Sequence, residues 1–500
     1  MKYFLSFRPL YGAAVGALVS YYGFASVLRS EAVFLVLAAC GALIALGFSL
    51  PLTLRTLNVK SRFLACARLL ALAFALGFVL GLAALTASLR DAVVRTGLAP
   101  ESLTAVSGRL LDDPRVSAAG RGMASLKLSG AEGRSGVRTS ASGKLLVFFP
   151  EGSMPSLREF GRGSSLYIEG NIFTTDDGRT LFKAKSVHIT KTPSPLNRLR
   201  TTLRLGLIGI FSERRWGGLA LALLLGIRDN LDSELALQYQ KAGCSYILAL
   251  SGMHLAIVSS IIAFLLRKRL GIKAAAVLGS IVILAYIYLV GPQSSLVRAS
   301  ISYILMAFTI IFSRKAVPLN ILALSFLIQI LIDGPAGSTL SFMLSYLALA
   351  GIILLGGRIA GLLRGFLPDF LYGAVAASLG AFLATMSISA AFFGEIRVAG
   401  IAAGLVMVPL TTFFMIGAII YLGVQLVIPP AGALILPLFD IVLSLLYDLL
   451  GIISRIAGGL PALTINNKPA FVVIFSLLPF ALIYLFSRLL ELRNKLERFY

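Results

Sequence analysis

The sequence predicts a polytopic α-helical membrane protein with about twelve transmembrane helices and one inserted, extracytoplasmic all-β domain. Hydrophobic residues make up 58% of the 500 residues, and charged residues make up 13%, against about 25% in soluble domains. The mean hydropathy is +0.90. Roughly twelve apolar runs are long enough to cross a hydrocarbon core of about 30 Å, about three before residue 90 and about nine after residue 240.

Residues 1–89 form the first predicted segment, which holds three transmembrane helices. Its first apolar run, residues 11–28, follows Lys2 and Arg8, an arrangement that secretory signals share. No small-x-small cleavage site stands out, and two further apolar runs follow closely. We therefore expect this run to be a retained helix.

Residues 90–197 form the second segment, an extracytoplasmic β domain. Short runs of alternating polarity predict five strands, and Ser142-Gly143 and Asp177-Gly178 supply turn chemistry. The predicted strands are residues 103–111, 124–128, 144–149, 165–173 and 180–189. Five strands in about a hundred residues predict a small OB-like barrel, although periodicity alone does not separate this fold from a sandwich.

Residues 198–240 form the third segment, which consists of interfacial and amphipathic helices. Arg198, Arg200 and Arg204 alternate with leucines, so we expect them at the membrane surface. The apolar run 219–227 is too short to span the membrane. A re-entrant course for it is tolerated only against protein or a water-filled cavity.

Residues 241–500 form the fourth segment, a transmembrane bundle. Basic clusters beside the apolar runs predict the topology, because Lys and Arg in short loops stay cytoplasmic. The clusters are Arg55 to Arg62, Arg267 to Arg269, Arg314 with Lys315, Arg358 with Arg364, and Arg488 to Arg498. Placing them inside leaves both termini in the cytoplasm and residues 90–200 outside the membrane.

Neither a metal site nor a cofactor is predicted. The three cysteines, Cys40, Cys66 and Cys244, lie in or beside apolar runs, so we expect packing roles rather than disulfides or zinc ligands. Gly161-Arg162-Gly163 lacks the spacing of a nucleotide-binding loop. Energy for any transport must therefore come from a partner protein.

The candidate site lies where the chain enters the fourth segment. Charged residues come directly before an apolar run that itself contains polar side chains: Arg228, Asp232, Lys241, Ser251, Gly252 and His254. A central charge costs about 2.5–3.5 kcal/mol in a membrane, so such groups usually face the bundle interior or water. Ser251 and His254 are three residues apart and share a helix face. The structural alternative is a Ser–His pair that bridges two helices.

The same region resembles the competence-domain signature of ComEC proteins. The matching residues are 224–232 (LLGIRDNLD), Gly243 and 248–254 (LALSGMH). Agreement continues in order through residues 291–299, 318–320, 333–335 and 340–347, and the close match covers about residues 200–425. The chain departs from the family pattern at Ile227, where an acidic residue is usual, and at Tyr246, where His is frequent.

The resemblance implies an inner-membrane channel, not an enzyme, that carries single-stranded DNA into the cytoplasm during natural transformation. It also implies a duplex-DNA receptor and pilus machinery outside, a helicase-like ATPase inside and a separate nuclease. Larger members of the family carry a carboxy-terminal metallo-β-lactamase-like nuclease with an HxHxDH zinc motif. His188 and His254 are the two histidines here, so we expect the form that lacks this domain.

Transport of a DNA strand places demands on the lumen. About nine phosphates would occupy the bilayer core at once, so the lumen must be wet and polar, with few fixed charges. The lining candidates are Ser251, His254, Gln293, Ser295, Arg298, Asn320, Ser341 and Ser345. Arg228 and Arg298 are expected to meet phosphate near the outer mouth, unless they pair with Asp232 or Asp333.

Aromatic side chains of the β domain offer stacking surfaces for bases. The candidates are Phe148, Phe149, Phe160, Tyr167, Phe173 and Phe182. Because aromatic residues on strands more often belong to the core, we expect one or two of the six to be exposed.

Two other function classes fit parts of the sequence. An intramembrane serine hydrolase would use Ser251 as nucleophile and His254 as base, but no acidic partner for the histidine is evident. A transporter for a small anionic solute would show two matched broken helices related by a repeat, and no repeat is evident.

Overall fold

The computed structural model describes residues 13–22, 72–86, 94–98, 102–116, 121–134, 136–150, 157–159, 161–174, 180–427, 429–465, 481 and 485. The chain divides into a β unit, Ala87–Asp232 with Ala285–Gly291, and a helical unit, Met1–Thr86, Ser233–Leu284 and Pro292–Tyr500. Several predictions fall outside the described residues: those for Cys40, Cys66, Phe160, the Asp177-Gly178 turn and the basic clusters at residues 55–62 and 488–498.

Eight strands are described in the β unit. They are β1 (Arg95–Thr96), β2 (Leu103–Leu110), β3 (Arg115–Val116), β4 (Gly122–Gly133), β5 (Arg138–Ser142), β6 (Lys144–Phe149), β7 (Ser165–Thr174) and β8 (Thr180–Lys191). The five predicted strands are confirmed as β2, β4, β6, β7 and β8. The sequence patterns missed β1, β3 and β5, which are too short or too polar to show clear alternation.

Backbone hydrogen bonds connect these strands in the order β1-β5-β4-β2-β7-β8-β6, and β6 also pairs with β4. The β6–β8 pair is parallel, with Phe148 opposite Lys183. The pairs β2–β4, β2–β7, β4–β6 and β7–β8 are antiparallel. Each of the five predicted strands therefore has at least two of the other four as neighbours.

Alternate residues of these strands point inward and form the core of the β unit. Leu126, Val147, Leu166, Ile168 and Phe182 are all 0% exposed and belong to one cluster. Burial of a large apolar side chain stabilises a protein by about 1.5–3 kcal/mol. A register shift of one residue would turn this set to the surface, so burial also specifies the pairing.

Two helices complete the β unit: α3 (Pro195–Ser212) and α4 (Gly217–Leu225). Helix α3 begins at a cap in which the Ser194 side chain accepts a hydrogen bond from the Asn197 N–H, 3.4 Å away. Helix α4 ends at Gly226, whose φ of 68° is a left-handed conformation that favours glycine. Eight of the nine residues of α4 are buried.

The side chains of α3 differ widely in exposure. Leu196, Leu199 and Leu203 are 68%, 57% and 51% exposed, as expected for a helix at a membrane surface. Arg200, however, is 2% exposed. Arg200 was predicted to lie at the membrane surface, and the structure adds that its side chain is enclosed by a buried set of acceptors in the same unit.

Those acceptors are a carboxylate and the end of a long helix. Arg200 donates to both oxygens of Asp113, at 2.8 and 2.6 Å, and to the Tyr288 carbonyl at 2.7 Å. Arg204 donates to the carbonyls of Leu289 and Val290 at 3.0 and 3.1 Å. Carbonyls in the last turn of a helix lack intrahelical donors, so both arginines satisfy groups that would otherwise be unpaired.

The described helices of the helical unit are mostly apolar. They are α1 (Ala13–Tyr22), α2 (Leu72–Thr86), α5 (Ser233–Lys241), α6 (Ser245–Leu248), α7 (Gly252–Val290, whose last turn lies in the β unit), α8 (Ser294–Ile311), α9 (Pro318–Ile332), α10 (Leu340–Gly351), α11 (Gly357–Leu363), α12 (Asp369–Phe393), α13 (Ala399–Val427) and α14 (Pro429–Gly458). A π-helical turn, Ile352–Gly356, joins α10 to α11, and a short ladder pairs β9 (Glu395–Ile396) with β10 (Leu463–Thr464).

Helix α7 consists of two segments that fold back on each other at Gly271, where φ is 77° and ψ is 166°. On a straight helix Gly252 and Gly279 would be about 40 Å apart at about 1.5 Å per residue. Yet Gly252 adjoins Arg298 and Gly279 adjoins Tyr303, two residues of α8 that are only about 7.5 Å apart along its axis. Each segment of α7 is about 28 Å long, close to the thickness of a hydrocarbon core.

Among the described residues, six helices are long and apolar enough to cross a membrane. They are Gly252–Val290, Ser294–Ile311, Leu340–Leu363, Leu371–Phe393, Ala399–Val427 and Ile435–Gly458. Three shorter apolar helices, Ala13–Tyr22, Leu72–Thr86 and Pro318–Ile332, accompany them. The chain is thus a multi-pass helical membrane protein with a β region, and the total of about twelve spans stays a prediction.

Cys244 is 0% exposed and lies between α5 and α6. Burial raises the pKa of its thiol to about 12. The group is therefore a neutral packing residue at physiological pH, as predicted for it.

Candidate functional site

Helices α7, α8 and α10 begin close to one another, and polar residues concentrate where they begin. The Ser295 hydroxyl lies 2.8 Å from the Ser341 hydroxyl, and the Ser294 hydroxyl lies 3.3 Å from that of Thr339. We define the helix-start cluster as the polar and small residues at this place: Ser251, Gly252, His254, Ser294, Ser295, Arg298, Thr339, Ser341 and Ser345.

Ser251 and His254 cap the start of α7. The Ser251 hydroxyl accepts a hydrogen bond from the Met253 N–H at 3.3 Å, and Nδ1 of His254 accepts one from the Ser251 N–H at 2.8 Å. This reciprocal pattern is a capping box, with His254 in the place that Glu or Gln usually takes. The apolar run predicted as one span is therefore broken, since residues 249–251 separate α6 from α7.

The cap defines what His254 can do. Because Nδ1 accepts the Ser251 N–H, the proton of the neutral ring is on Nε2. The Ser251 hydroxyl is 3.3 Å from Nδ1, but the lone pair there is already used. Nε2 is buried and, among the residues described, has no hydrogen-bond partner, so no carboxylate orients the ring as a catalytic triad requires.

Arg298 is the charged member of the helix-start cluster. It is 8% exposed, donates from Nε to the Ser345 hydroxyl at 2.7 Å, and lies over the Tyr346 ring at 5.9 Å. The predicted alternative partner, Asp333, ends α9 instead and is exposed. No ion pair joins Arg298 to a carboxylate within the described part of the chain.

Gly252 leaves room for the close approach of Arg298. A Cβ atom at residue 252 would lie 2.9 Å from Nη2 of Arg298 and 3.5 Å from Cβ of Ala299. The first distance is shorter than real Cβ contacts allow. The sequence suggested that Gly252 removes bulk beside Ser251 and His254, and the structure identifies the neighbour that needs the space.

Two residues that contact the helix-start cluster, Gln329 and Tyr346, were not predicted from the sequence. Gln329 is 1% exposed, donates to the Ser294 carbonyl at 2.9 Å, and accepts from the Tyr346 hydroxyl at 2.9 Å. Its signal was present, because Gln329 is an amide within the apolar run 326–332. Tyr346 gave no comparable signal, since tyrosine is common in membrane helices.

The ten predicted site residues are not all members of the helix-start cluster. Six of them belong to the helix-start cluster: Ser251, Gly252, His254, Ser295, Arg298 and Ser341. Lys241 is exposed at the end of α5, where its carbonyl accepts a hydrogen bond from Arg397 at 2.5 Å. Asn320 lies in the first turn of α9, about 13 Å along the axis from Gln329. Arg228 and Asp232 belong to the β unit, and both are exposed.

The outer surface of the β unit carries a second candidate feature. Phe148 and Phe173 form a ring pair with centroids 6.4 Å apart, and Phe173 is 39% exposed. Exposed Lys183 stands opposite Phe148 in the register. Phe149 and Phe182 are core residues, so the expectation that few of the aromatic candidates are exposed is confirmed for the described ones.

Comparison with known proteins identifies the family of this chain. Residues 223–489 match the family model described as Competence protein, which is more than half of the chain. No curated protein matches the sequence. The matched range begins in α4 and includes every member of the helix-start cluster. The chain therefore belongs to the competence protein family.

Proposed function

We propose that this protein is the inner-membrane channel through which one DNA strand enters the cytoplasm during natural transformation. The observation that carries the proposal is membership of the competence family over residues 223–489, in a multi-pass membrane protein. Competence is the uptake of DNA, and a protein of this kind is suited to the step that crosses the membrane.

The helix-start cluster supports a path for a polyanion. A strand carries one phosphate per about 3.4 Å, and dry protein cannot accommodate several such charges. The cluster offers hydroxyl groups, such as those of Ser295 and Ser341, and one cation, Arg298. Neutral hydroxyls can replace water around a phosphate while binding it weakly enough for the strand to move on.

We also propose that the β unit is an OB-like domain that binds single strands outside the membrane. The pairing of β2, β4, β6, β7 and β8, with the parallel β6–β8 pair, supports an OB-like arrangement. The Phe148–Phe173 ring pair and Lys183 provide stacking and charge on one surface, the combination that single strands require.

Orientation and partners complete the proposal. Arg267, Lys268 and Arg269 directly precede the fold-back of α7 at Gly271, which supports a cytoplasmic position for this turn. Both termini would then be cytoplasmic and residues 90–200 outside. A helicase-like ATPase would supply energy from inside. A duplex-DNA receptor, pilus machinery and a separate nuclease would act outside.

The test is uptake of labelled duplex DNA by cells with the wild-type gene, a deletion, or the deletion complemented by the wild-type gene. We expect the deletion to leave label bound at the cell surface and to remove it from the cytoplasm, with recovery on complementation. Equal cytoplasmic label in the deletion strain would refute the channel. Covalent reaction of Ser251 with a serine-directed probe, absent in Ser251→Ala, would favour the hydrolase instead.

A further inference from the structure

Arg298 has hydrogen-bonding capacity that the protein does not use. Its Nε donates to Ser345, but neither Nη1 nor Nη2 has a hydrogen-bond partner among the described residues. The residue as a whole is nevertheless only 8% exposed. A guanidinium presents five N–H donors, and a buried charge without an ionic partner is strongly disfavoured.

The surroundings add to the positive potential at Arg298. Helices α7, α8 and α10 begin at Gly252, Ser294 and Leu340, and contacts at Arg298, Ser295 and Ser345 hold these beginnings together. The N-terminal end of a helix carries a partial positive charge and favours anions. Three such ends and a guanidinium therefore meet, and Arg298 forms no ion pair with a carboxylate of the described residues.

The position of the unused donors identifies the open side of the site. Nη2 points at the first residue of α7, where Gly252 has no side chain to cover it. The guanidinium also lies over the Tyr346 ring, with Cζ 5.9 Å from the ring centroid, and the tyrosine hydroxyl donates to Gln329. Nη1 and Nη2 therefore remain available to bind a ligand.

We infer that Arg298 and the beginnings of α7, α8 and α10 form an anion site that binds one phosphodiester group of the passing strand. Two parallel N–H donors match two phosphate oxygens, and arginine is the residue that binds phosphate in this bidentate way. A phosphodiester carries one negative charge, which compensates the single charge of Arg298. This inference rests on the proposed function for the identity of the strand, whereas the anion site itself does not.

The salt dependence of binding tests the inference. The full-length protein in phosphatidylcholine nanodiscs is titrated with fluorescent oligothymidine at several salt concentrations. Loss of one phosphate contact should lower the slope of log K against log salt by about 0.7. We expect Arg298→Gln to show this change and about tenfold weaker binding. Arg269→Gln removes the same charge from an exposed position and should change neither value.

A second variant keeps the charge but moves it. Gly252→Ala places a methyl group against Nη2, so we expect weaker oligothymidine binding although Arg298 is still present. This variant keeps the test valid if Arg298→Gln does not fold. Wild-type slope and affinity in both variants would overturn the phosphate site while leaving the channel proposal intact.

Two competitors identify the source of the phosphate. Inorganic phosphate should raise the thermal midpoint of the wild type but not of Arg298→Gln, even if oligothymidine does not bind. That combination would keep the anion site and reject the strand as its ligand. A rise in the thermal midpoint of the wild type with phosphatidylglycerol vesicles, but not with oligothymidine, would likewise indicate a lipid headgroup rather than the strand as the ligand. No response of the wild type to any of the three probes would overturn the site.

Discussion

At the scale of single residues, the residues of the family signature at the start of α7 have structural roles. Ser251 and His254 satisfy each other's backbone groups at the start of α7, and Gly252 makes room for Arg298. A polar pair in an apolar run was expected to mark function or a bridge between helices. The capping box is a third role, because a helix that begins inside a membrane protein needs donors and acceptors for its ends.

The capping role of His254 leads to a paired prediction. Gln at this position can accept the Ser251 N–H, so His254→Gln should retain most of the stability, whereas His254→Ala should lose about 1–2 kcal/mol. The measurement is thermal or denaturant unfolding of the purified protein in one detergent. If His254→Gln and His254→Ala lose equal stability, the cap does not explain the residue. If His254→Gln folds normally but fails in DNA uptake, His254 has a direct role as well.

Asp113 is the basis of a second prediction, which concerns how the stability of the β unit depends on pH. Burial alone would raise the pKa of this carboxyl, but the hydrogen bond from Arg200, the charge of Arg204 and the Arg162 N–H outweigh burial and lower the pKa. A carboxylate with a lowered pKa stabilises the fold above its unfolded pKa of about 3.9 and loses that contribution as pH falls through the folded pKa. The β unit should therefore be stable at neutral pH and weaken below about pH 4.

Trp216 offers a local probe for this prediction, since it is the chain's single tryptophan and is 0% exposed in the β unit. Asp113→Asn leaves Arg200 buried without its charge partner, so we expect a loss of about 3 kcal/mol at pH 7 and a flatter acid limb in Trp216 fluorescence. The exposed neighbour variant Asp112→Asn is the control and should resemble wild type. An unchanged acid limb in Asp113→Asn would contradict the assignment.

At the scale of elements, the positions at which helices break determine which residues of the helical unit come together. The run predicted as one span is divided at residues 249–251, and the longest helix is divided at Gly271. The first break places the start of α7 beside Arg298. The second allows two segments of α7 to pack on α8. The first break is not visible in hydropathy, because the residues on both sides of it are apolar. The second break is marked by the basic residues Arg267, Lys268 and Arg269 directly before Gly271.

Gly271 should be the more sensitive of two matched glycines. Its φ of 77° with ψ of 166° is a conformation that residues with a Cβ avoid, so Gly271→Ala should destabilise the protein by about 1–3 kcal/mol. Gly423 lies within α13, and a Cβ there would meet nothing within 4 Å. Gly423→Ala should be neutral or stabilising by about 0.5–1 kcal/mol. The check is the unfolding midpoint of each variant, and the reverse order would argue against the fold-back.

At the scale of the whole molecule, the surfaces of the β unit and of the multi-pass helical unit suit different surroundings, water for the first and lipid for the second. The β unit buries alternate residues, whereas the helical unit exposes many large apolar side chains, such as Phe264 at 82% and Phe366 at 84%. Such surfaces are unfavourable in water and favourable against lipid. Helix α3 shares this property through Leu196 and Leu199, which fits its predicted position at the membrane surface.

The proposed membrane topology predicts from which side two introduced cysteines can be labelled. In a cysteine-free background, Lys185→Cys on β8 should react with an impermeant maleimide from outside, and Arg269→Cys should react only from the cytoplasmic side. Both positions are exposed, so access depends on the membrane rather than on burial. Spheroplasts and inverted vesicles provide the two orientations. Labelling of both cysteines from the same side would refute the proposed arrangement.

The sequence by itself determined the class of the protein, the five main strands and the family. These depend on local pattern, because alternation, apolar length and a short signature can be read within a few tens of residues. It also identified seven of the nine residues of the helix-start cluster. Only the tertiary structure assigned Arg228 and Asp232 to the β unit, placed Tyr346 beside Arg298 with Gln329 bound to Tyr346, and buried Arg200 against Asp113. These contacts join residues that are distant in the chain, and the spacing of residues carries no information about which distant partners will compensate a buried charge.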